Sequence, residues 1–388
     1  IIALFIVCSF SYLSPLLEGK SILPGDTARA MGMAKEINDY RASTGQEANW
    51  TNSMFGGMPA YQISTVYKGN ILHFFNSIIN IIPRPANYIF INFCLFFLLG
   101  LILGANPWIS FAGALAYGFT SFAFILIDAG HMSKVNTLSY FSLLMAGVYL
   151  AYNKKMITGS ILAALGLSFM LTANHPQMTY YAGIMVLIMA VTYLIYAYKE
   201  KNLPEFFKSS GLLIAAAIIA VGMNFGSLLT TYEYSKYSTR GKSDLVATDN
   251  NQTSGLNRDY ILEYSYDLGE AMTAFIPRFK GGGMSEPLGE SSETYKLLEN
   301  SQGKEQAKRI SQSLPLYWGS QPIVGGMFYY GAVLCFLFVL GLFVLKGKEK
   351  WWLVSVVIVS FLLSMGKNIP FLANFMIDYF PGYSKFRD

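Results

Sequence analysis

Long apolar stretches recur along most of this sequence, and they restrict the chain to folds that a lipid bilayer can surround. Each stretch approaches the roughly 20 apolar residues that a helix needs to cross the hydrocarbon core. Hydrophobic residues make up 53% of the chain and charged residues only 13%, whereas a soluble domain carries about 25% charged residues. We therefore predict an all-α integral membrane protein, a polytopic bundle of about nine transmembrane helices. The apolar stretches cover residues 1–17, 86–104, 107–127, 135–152, 156–172, 178–198, 211–230, 326–345 and 351–366.

The distribution of lysines between the short loops predicts the orientation of the chain. Lys and Arg favour the cytoplasmic side of short loops. The loops after the fourth, sixth and eighth apolar stretches are rich in lysine, whereas loops 128–134 and 173–177 on the other side hold only Lys134. We therefore predict a cytoplasmic N-terminus, with loops 18–85 and 231–325 on the outer side. The lysines of the inner loops are Lys154, Lys155, Lys199, Lys201, Lys208, Lys346, Lys348 and Lys350.

The polar stretches divide the chain into three parts. Residues 1–230 form an N-terminal transmembrane module, 231–325 form an extracytoplasmic insertion with a charged helix-like stretch over 293–312, and 326–388 hold further spans. The chain starts with Ile-Ile and ends without completing a domain. We therefore expect it to be part of a longer polypeptide.

Two amphipathic helices are expected in the first outer loop. Asp26 is predicted to be the N-cap of a short helix with Met31, Ala34 and Ile37 on one face. The apolar segment 71–82 is too short to span a bilayer and is typical of a helix that lies in the membrane interface.

Ionisable and amide side chains collect where the apolar stretches end on the predicted outer side. Such groups are costly near hydrocarbon and usually line a functional cavity. If the spans form one bundle, these side chains surround one cavity on the outer face. Structural roles stay open for several of them, since Asp26, His131 and His175 are also placed to cap helices. The candidate residues are Asp26, His131, Lys134, His175, Gln177, Glu233, Arg240 and Arg387.

Signatures of several other classes of protein are missing from the sequence. Cys8, Cys94 and Cys335 lie inside apolar stretches, so they predict no disulfide framework. No Cys/His cluster has zinc spacing, and no nucleophile elbow or nucleotide fingerprint occurs. The net charge of +5 follows from the inner-loop lysines and does not indicate binding to nucleic acid.

Short motifs along nearly the whole chain carry a resemblance to a known family. They are Gly25-Asp26, residues 50–59 (WTNSMFGGMP), Gly130-His131, residues 175–177 with Tyr180-Tyr181, residues 317–319 with Gln321-Pro322, and residues 381–387 (PGYSKFR). In their order and spacing they resemble the YfhO family of bacterial multi-pass proteins, within the GT-C superfamily of membrane glycosyltransferases.

The resemblance implies a GT-C-like fold and an inverting sugar transfer at the outer face of the bacterial cytoplasmic membrane. The donor is a polyprenyl-phosphate-linked sugar, and the acceptor is an envelope glycan, a lipid or a protein. Carried over, Asp26 is the general base for the acceptor hydroxyl or a metal ligand. Lys134, Arg240 and Arg387 stabilise the leaving phosphate, and His131 and His175 position donor or acceptor. Gln177 and Glu233 complete the set of expected substrate-binding residues.

One departure from the superfamily leaves the cofactor open. Many members carry a paired acidic motif in the first loop, whereas Asp26 is followed by Thr27, Ala28 and Arg29. A divalent metal, Mg²⁺ or Mn²⁺, is therefore one option and not a requirement.

Two other functions are left open by the sequence. The chain is also compatible with a transporter of lipids or lipid-linked sugars, and with a non-enzymatic envelope assembly subunit that docks through residues 231–325. Transporters tend to place polar groups at the bilayer midplane. Here the charges lie at the outer ends of the spans, which favours the transferase.

Overall fold

Two compact units make up the chain in the computed structural model, which describes residues 1–153, 155–241, 253, 255–326 and 328–387. The first unit holds Ile1–Ser238 and Gly347–Val356, and the second holds Thr239–Lys346 and Val357–Asp388. Lys154, one of the lysines that predict the orientation, lies outside the described residues.

The first unit is a set of helices with one antiparallel hairpin in its first long loop. Strands β1 (Trp50–Thr51) and β2 (Met58–Pro59) form this hairpin. The helices are α1 (Ile2–Tyr12), α2 (Gly25–Thr44), α3 (Leu72–Ile79), α4 (Ala86–Ile102), α5 (Pro107–Gly118), α6 (Ser121–Asp128), α7 (Met132–Ser139), α8 (Phe141–Tyr152), α9 (Met156–Thr172), α10 (Pro176–Lys199), α11 (Leu203–Met223) and α12 (Phe225–Ser235), with short 3-10 helices at Ser14–Glu18 and Ala60–Gln62.

Within the described residues, four helical stretches are long and apolar enough to cross a membrane. They are Pro107–Asp128 (α5 and α6), Met132–Tyr152 (α7 and α8), Pro176–Lys199 (α10) and Leu203–Met223 (α11). Shorter apolar helices accompany them at Ile2–Tyr12, Ala86–Ile102, Met156–Thr172 and Ala332–Val344. The prediction of an all-α membrane protein is confirmed, and the number of about nine spans stays a prediction.

The seventh apolar stretch, 211–230, is divided between two helices. Helix α11 ends at Met223 and α12 begins at Phe225. A candidate span is present here as Leu203–Met223, and the last residues of the predicted stretch belong to α12. The break falls at Asn224, whose side chain bonds to backbone and side-chain groups of neighbouring segments.

Asn224 is the centre of a buried polar network that ties the first loop to α9. The residue is only 4% exposed. Its Nδ2 donates to the carbonyl oxygens of Ser168 and Ala220 at 3.2 and 3.1 Å. Its Oδ1 accepts hydrogen bonds from Asn70 and Thr172 at 3.0 and 2.9 Å. Because the buried amide is paired on both sides, it avoids the cost of an unsatisfied polar group in an apolar bundle.

Helices α8 and α9 are in direct backbone contact through glycine. A Cβ added to Gly147 would lie 2.2 Å from the backbone nitrogen of Ala163, and one added to Gly159 would lie 2.2 Å from that of Ala151. Small residues permit this close approach between helices in membranes. The α7–α8 stretch is thereby packed firmly against α9.

Two carboxylates organise the first long loop around α2. Glu36 accepts a hydrogen bond from the Thr51 hydroxyl and two more from backbone N–H groups of the following turn, at 3.1 Å each. The Thr51 bond is the largest of the effects that lower the pKa of Glu36. Glu47 accepts two hydrogen bonds of 2.8 Å from Arg41. Both carboxylates are charged hydrogen-bond acceptors, and their bonds hold the loop in place.

Helices α2 and α3 agree in part with the two helices predicted in the first outer loop. Of the three residues predicted to share one face of α2, Ala34 and Ile37 are buried and Met31 is 62% exposed. Packing therefore covers the second half of α2 more than its first turns. The helix predicted within 71–82 is confirmed as α3, and its interfacial position stays a prediction.

The second unit is connected by backbone hydrogen bonds between distant segments. Leu256 donates to the carbonyl oxygen of Ser384 at 2.9 Å, and Tyr266 to that of Ser364 at 2.8 Å. The stretch 293–312 forms two helices because Gly303 separates them. The helices of this part of the chain are α13 (Arg258–Ile261), α14 (Leu268–Met272), α15 (Glu293–Gln302), α16 (Lys304–Ser311), α17 (Ala332–Val344), α18 (Gly347–Ser364, shared by both units) and α19 (Pro370–Tyr379), with 3-10 helices at Gly366–Asn368 and Tyr383–Lys385.

Replacing Asn224 tests the polar network. We expect Asn224→Ala to lower the free energy of unfolding by about 1–3 kcal/mol, because the groups it pairs are left buried and unsatisfied. Unfolding of the purified protein in detergent, followed by circular dichroism, measures this loss. Asn300→Ala, at an exposed position of α15, is the control, and an equal effect of both substitutions would contradict the role assigned to Asn224.

Candidate functional site

A cavity of about 360 Å³ opens in the first unit where α2, α4 and the α6–α7 connection meet. It lies at the start of the Met132–Tyr152 stretch, on the side that the lysines predict to be outer. The residues that line it are Ile22, Asp26, Thr27, Ala30, Arg84, Pro85, Tyr88, Gly130, Met132 and Ser133.

Asp26 reaches this cavity from the first turn of α2. The N-cap of the helix is Pro24, in an extended conformation with ψ of 155°. The prediction that Asp26 is itself the N-cap was therefore wrong. Proline restricts φ but not ψ, and the extended ψ of Pro24 makes Gly25 the first helical residue, one residue before Asp26. A carboxylate in the first turn is stabilised by the positive end of the helix dipole.

The end of α6 places His131 beside Asp26. Gly130 has a φ of +84°, its N–H donates to the Ile127 carbonyl at 3.1 Å, and the His131 N–H donates to the Leu126 carbonyl at 2.8 Å. This pair of bonds is a Schellman motif, which ends a helix with a left-handed glycine. The chain therefore turns sharply after α6, and this turn places His131 at the start of α7.

Asp26 and His131 form the central contact of the site. His131 Nε2 lies 3.4 Å from Asp26 Oδ2, with the two side chains 41% and 48% exposed. Arg29 lies 3.3 Å from the other carboxylate oxygen. His131 occupies the N-cap position of α7, but its side chain makes no cap hydrogen bond. The structure therefore does not support a capping role for the His131 side chain.

The environment favours the neutral form of His131. Burial and then the neighbouring Lys134 ammonium lower the pKa of His131, and they outweigh the opposite effect of Asp26. A neutral imidazole has one donor nitrogen and one acceptor nitrogen. At neutral pH it can therefore donate to Asp26 and still accept from a ligand.

Arg84 and Tyr88 are site residues that the sequence reasoning missed. Arg84 lines the cavity, and its Nε donates to Asn80 Oδ1 at 3.2 Å. Tyr88 lies one turn further along, in α4, and is 4% exposed. The available signal was the Pro83-Arg84-Pro85 sequence, which puts a cation directly before the second apolar stretch. Arg84 supplies a positive charge to the cavity that Asp26 also lines.

His175, Gln177 and Glu233 lie at other positions of the first unit. His175 is the N-cap of α10, and its Nδ1 accepts a hydrogen bond from the Met178 backbone at 3.4 Å. Gln177 lies 3.5 Å from the hydroxyl of Tyr181. Glu233 pairs with Lys236 at 2.7 Å on α12. The described lining of the cavity includes none of these three predicted residues.

Arg240 and Arg387 belong to the second unit and have partners there. Arg240 donates to the carbonyl oxygen of Lys385, whose Nζ donates to the Arg240 carbonyl at 2.7 Å. The Arg387 guanidinium lies over the rings of Tyr260 and Tyr264, 4.3 and 4.2 Å from their centroids, and pairs with Glu263. The predicted phosphate-binding role of the two arginines stays a prediction.

The described residues form no group of three His, Cys, Asp or Glu side chains that could hold a metal ion. Asp26 contributes one carboxylate to the cavity, and Arg29 and His131 already contact its two oxygens. These residues do not fit a metal site made of protein ligands alone, so we derive no step through a metal.

No family model matches this chain, and no curated protein or solved structure does so either.

Substitution of Gly130 tests the connection that positions His131. A Cβ at this residue would lie 3.1 Å from the Cβ atoms of Asp26 and Pro24. We expect Gly130→Ala to destabilise the protein by about 1–2 kcal/mol through the positive φ, and by more through this contact. Thermal unfolding in detergent measures the loss.

Gly104→Ala is the matched control for Gly130→Ala. Gly104 has a φ of +85° but no atom within 4 Å of an added Cβ. It therefore reports the backbone strain alone. Equal losses in the two variants would mean that Gly130 does not pack against the start of α2.

The pH dependence of stability tests the environment of His131. Because folding lowers its pKa from 6.5, the unfolded chain binds the proton more readily and stability falls as the pH drops through this value. We expect the melting temperature of His131→Gln to fall less than that of wild type when the pH is lowered from about 7.5 to about 5.5. His73→Gln on α3 is the control, and parallel curves for wild type and His131→Gln would contradict the assignment.

Proposed function

We propose that this protein is a GT-C-type membrane glycosyltransferase, related to the YfhO family. It moves a sugar from a polyprenyl-phosphate carrier to an envelope acceptor at the outer face of the bacterial cytoplasmic membrane. The observation that carries the proposal is the Asp26 carboxylate, paired with His131, in one cavity with the Arg84 guanidinium. Such a cavity combines a base and a cation at a membrane-facing site.

The proposed reaction is a single displacement at the anomeric carbon. The acceptor oxygen forms a bond to this carbon while the bond from the carbon to the carrier phosphate breaks. Asp26 accepts the proton of the acceptor hydroxyl, and the phosphate leaves with the electron pair. A base held within reach of the hydroxyl accelerates such a step. Asp26 is the one carboxylate among the described lining residues, which favours inversion over a double displacement through a second carboxylate.

Cations near the cavity support departure of the phosphate. Preorganised positive groups lower the barrier when they face the charge that develops in the transition state. Arg84 lines the cavity, and Lys134 lies in the first turn of α7, three residues beyond His131. Arg84 is therefore the main candidate for binding the carrier phosphate, with Lys134 as a second positive charge.

The position of the cavity along the helices also suits a lipid-linked donor. It lies at one end of a helical stretch of 21 residues, which is about 30 Å long and matches the hydrocarbon thickness of a bilayer. A carrier phosphate at the membrane surface can reach such a cavity while its polyprenyl chain stays in the bilayer.

Complementation of a deletion strain tests the proposal without knowledge of the acceptor. The envelope glycans of the deletion strain are profiled by mass spectrometry after complementation with wild type, Asp26→Asn, Arg84→Met or Asp39→Asn at matched membrane levels. We expect one sugar to disappear on deletion and to return with wild type. Asp26→Asn removes the base, and loss of such a base lowers the rate by about 10²–10⁴-fold. Arg84→Met is also expected to lower the amount of sugar strongly.

Asp39→Asn is the matched control because Asp39 lies on the same helix and pairs with Lys35 at 2.5 Å, away from the cavity lining. It should restore the profile fully. Full restoration by Asp26→Asn, or an unchanged glycan profile on deletion, would contradict the proposed function.

A further inference from the structure

A second cavity lies at the opposite end of the same helices. It has a volume of about 50 Å³ and is surrounded by the end of α8, the end of α10 and the starts of α9, α11 and α18, all within the first unit. The Met132–Tyr152 stretch begins at the Asp26 cavity and ends at this one. On the orientation that the lysines predict, this end is cytoplasmic.

Aromatic rings form the base of this cavity. The ring of Tyr152 stacks on those of Tyr193 and Phe206, with centroids 5.0 and 5.3 Å apart. The Tyr193 hydroxyl accepts a hydrogen bond from Asn153 at 3.0 Å, and the Tyr152 hydroxyl lies 3.1 Å from Ser210 Oγ. These bonds fix the orientation of the rings, so the aromatic base is preformed.

The aromatic base already faces one cation of the chain. Lys348 lines the cavity, and its Nζ lies 4.5 Å from the centroid of the Tyr193 ring. The face of an aromatic ring attracts cations. Lys348 therefore occupies this face of the Tyr193 ring and holds a positive charge at the cavity, beside which an anion can bind.

Two carboxylates form the acidic part of the rim. Glu200 and Glu205 both line the cavity, and Asn202 donates a hydrogen bond to Glu205 at 3.2 Å. The acidic pair and Lys348 give the same small cavity charges of both signs. A ligand with both an ammonium and a phosphate satisfies these charges together.

The size of the cavity selects the ammonium group. One water-sized group needs about 10–15 Å³, so the cavity has room for roughly three to five such groups. A primary ammonium with its two-carbon link to an oxygen is of this size, whereas a trimethylated ammonium is larger and donates no hydrogen bond to a carboxylate.

Apolar side chains beside the cavity face outward. Ile157, Tyr198 and Phe207 lie next to lining residues and are 69%, 72% and 61% exposed. Tyr198 and Phe207 lie near the ends of candidate membrane helices, and Ile157 lies near the start of the shorter apolar helix α9. Acyl chains can therefore lie against them while the headgroup enters the cavity.

We infer that this cavity binds the headgroup of a membrane phospholipid that carries a primary ammonium. The ammonium lies between Glu200 and Glu205, and the phosphate lies beside Lys348. The site is independent of sugar transfer at the Asp26 cavity.

Native mass spectrometry of the full purified chain in detergent tests this site. The protein is titrated with phosphatidylethanolamine, phosphatidylcholine and phosphatidylglycerol that carry the same acyl chains. We expect phosphatidylethanolamine to bind most tightly. The double variant Glu200→Gln/Glu205→Gln should weaken its binding about tenfold or more, since hydrogen bonds to charged groups contribute about 1.5–3 kcal/mol, and should not weaken phosphatidylglycerol binding.

Two further variants separate the headgroup site from a general effect of charge. Glu293→Gln/Glu305→Gln removes the same charge from exposed positions of the second unit and should leave all three affinities unchanged. Lys348→Gln should weaken all three lipids, because it removes the contact to the shared phosphate. Equal binding of phosphatidylethanolamine and phosphatidylcholine, or phosphatidylethanolamine binding that is unchanged in the Glu200→Gln/Glu205→Gln variant, would overturn the inference. An unchanged affinity of Lys348→Gln for all three lipids would also overturn it.

Discussion

The inability of hydrocarbon to pair with polar groups is the constraint on which the rest of this structure depends. Helices satisfy their own backbone groups, and the remaining polar side chains must pair or lie at helix ends. Asn224 follows the first course, since its amide bonds on both sides within the bundle. Asp26 and Arg84 follow the second, since they line a cavity at the start of the Met132–Tyr152 stretch. His131 lies beside Asp26 at this helix end.

The two ends of the first unit differ in chemistry. At one end the Asp26 carboxylate and the Arg84 guanidinium line a cavity of about 360 Å³, and the His131 imidazole contacts Asp26. These groups suit proton transfer and phosphate binding. At the other end aromatic rings, two glutamates and Lys348 surround a cavity of about 50 Å³, which suits a small zwitterion. Both cavities rely on the packed helices α8 and α9, because the α7–α8 stretch connects them. The proposed sugar transfer and the proposed headgroup binding therefore lie at separate ends of the same helices.

The sequence predicted the helices better than it predicted the site. The length and composition of an apolar stretch are enough to predict a helix. The segments over 86–104 and 178–198 form α4 and α10, with small shifts at their ends. The break at Asn224 could not be predicted, since it depends on bonds to Asn70 and Ser168, which are distant in the sequence.

The contact of Asp26 with His131 joins residues 105 positions apart. Both were predicted site residues, but their contact depends on the left-handed Gly130 and its packing on α2. Arg84 was missed because a lone arginine before an apolar stretch resembles an ordinary interfacial anchor.

The most direct test of the account is the side of the membrane on which the Asp26 cavity opens. Ser133→Cys at this cavity and Lys155→Cys at the opposite end are labelled with an impermeant maleimide in protoplasts or spheroplasts, after Cys8, Cys94 and Cys335 are replaced by serine. The account predicts that Ser133→Cys reacts in intact cells and Lys155→Cys only after lysis, and the reverse pattern would contradict it.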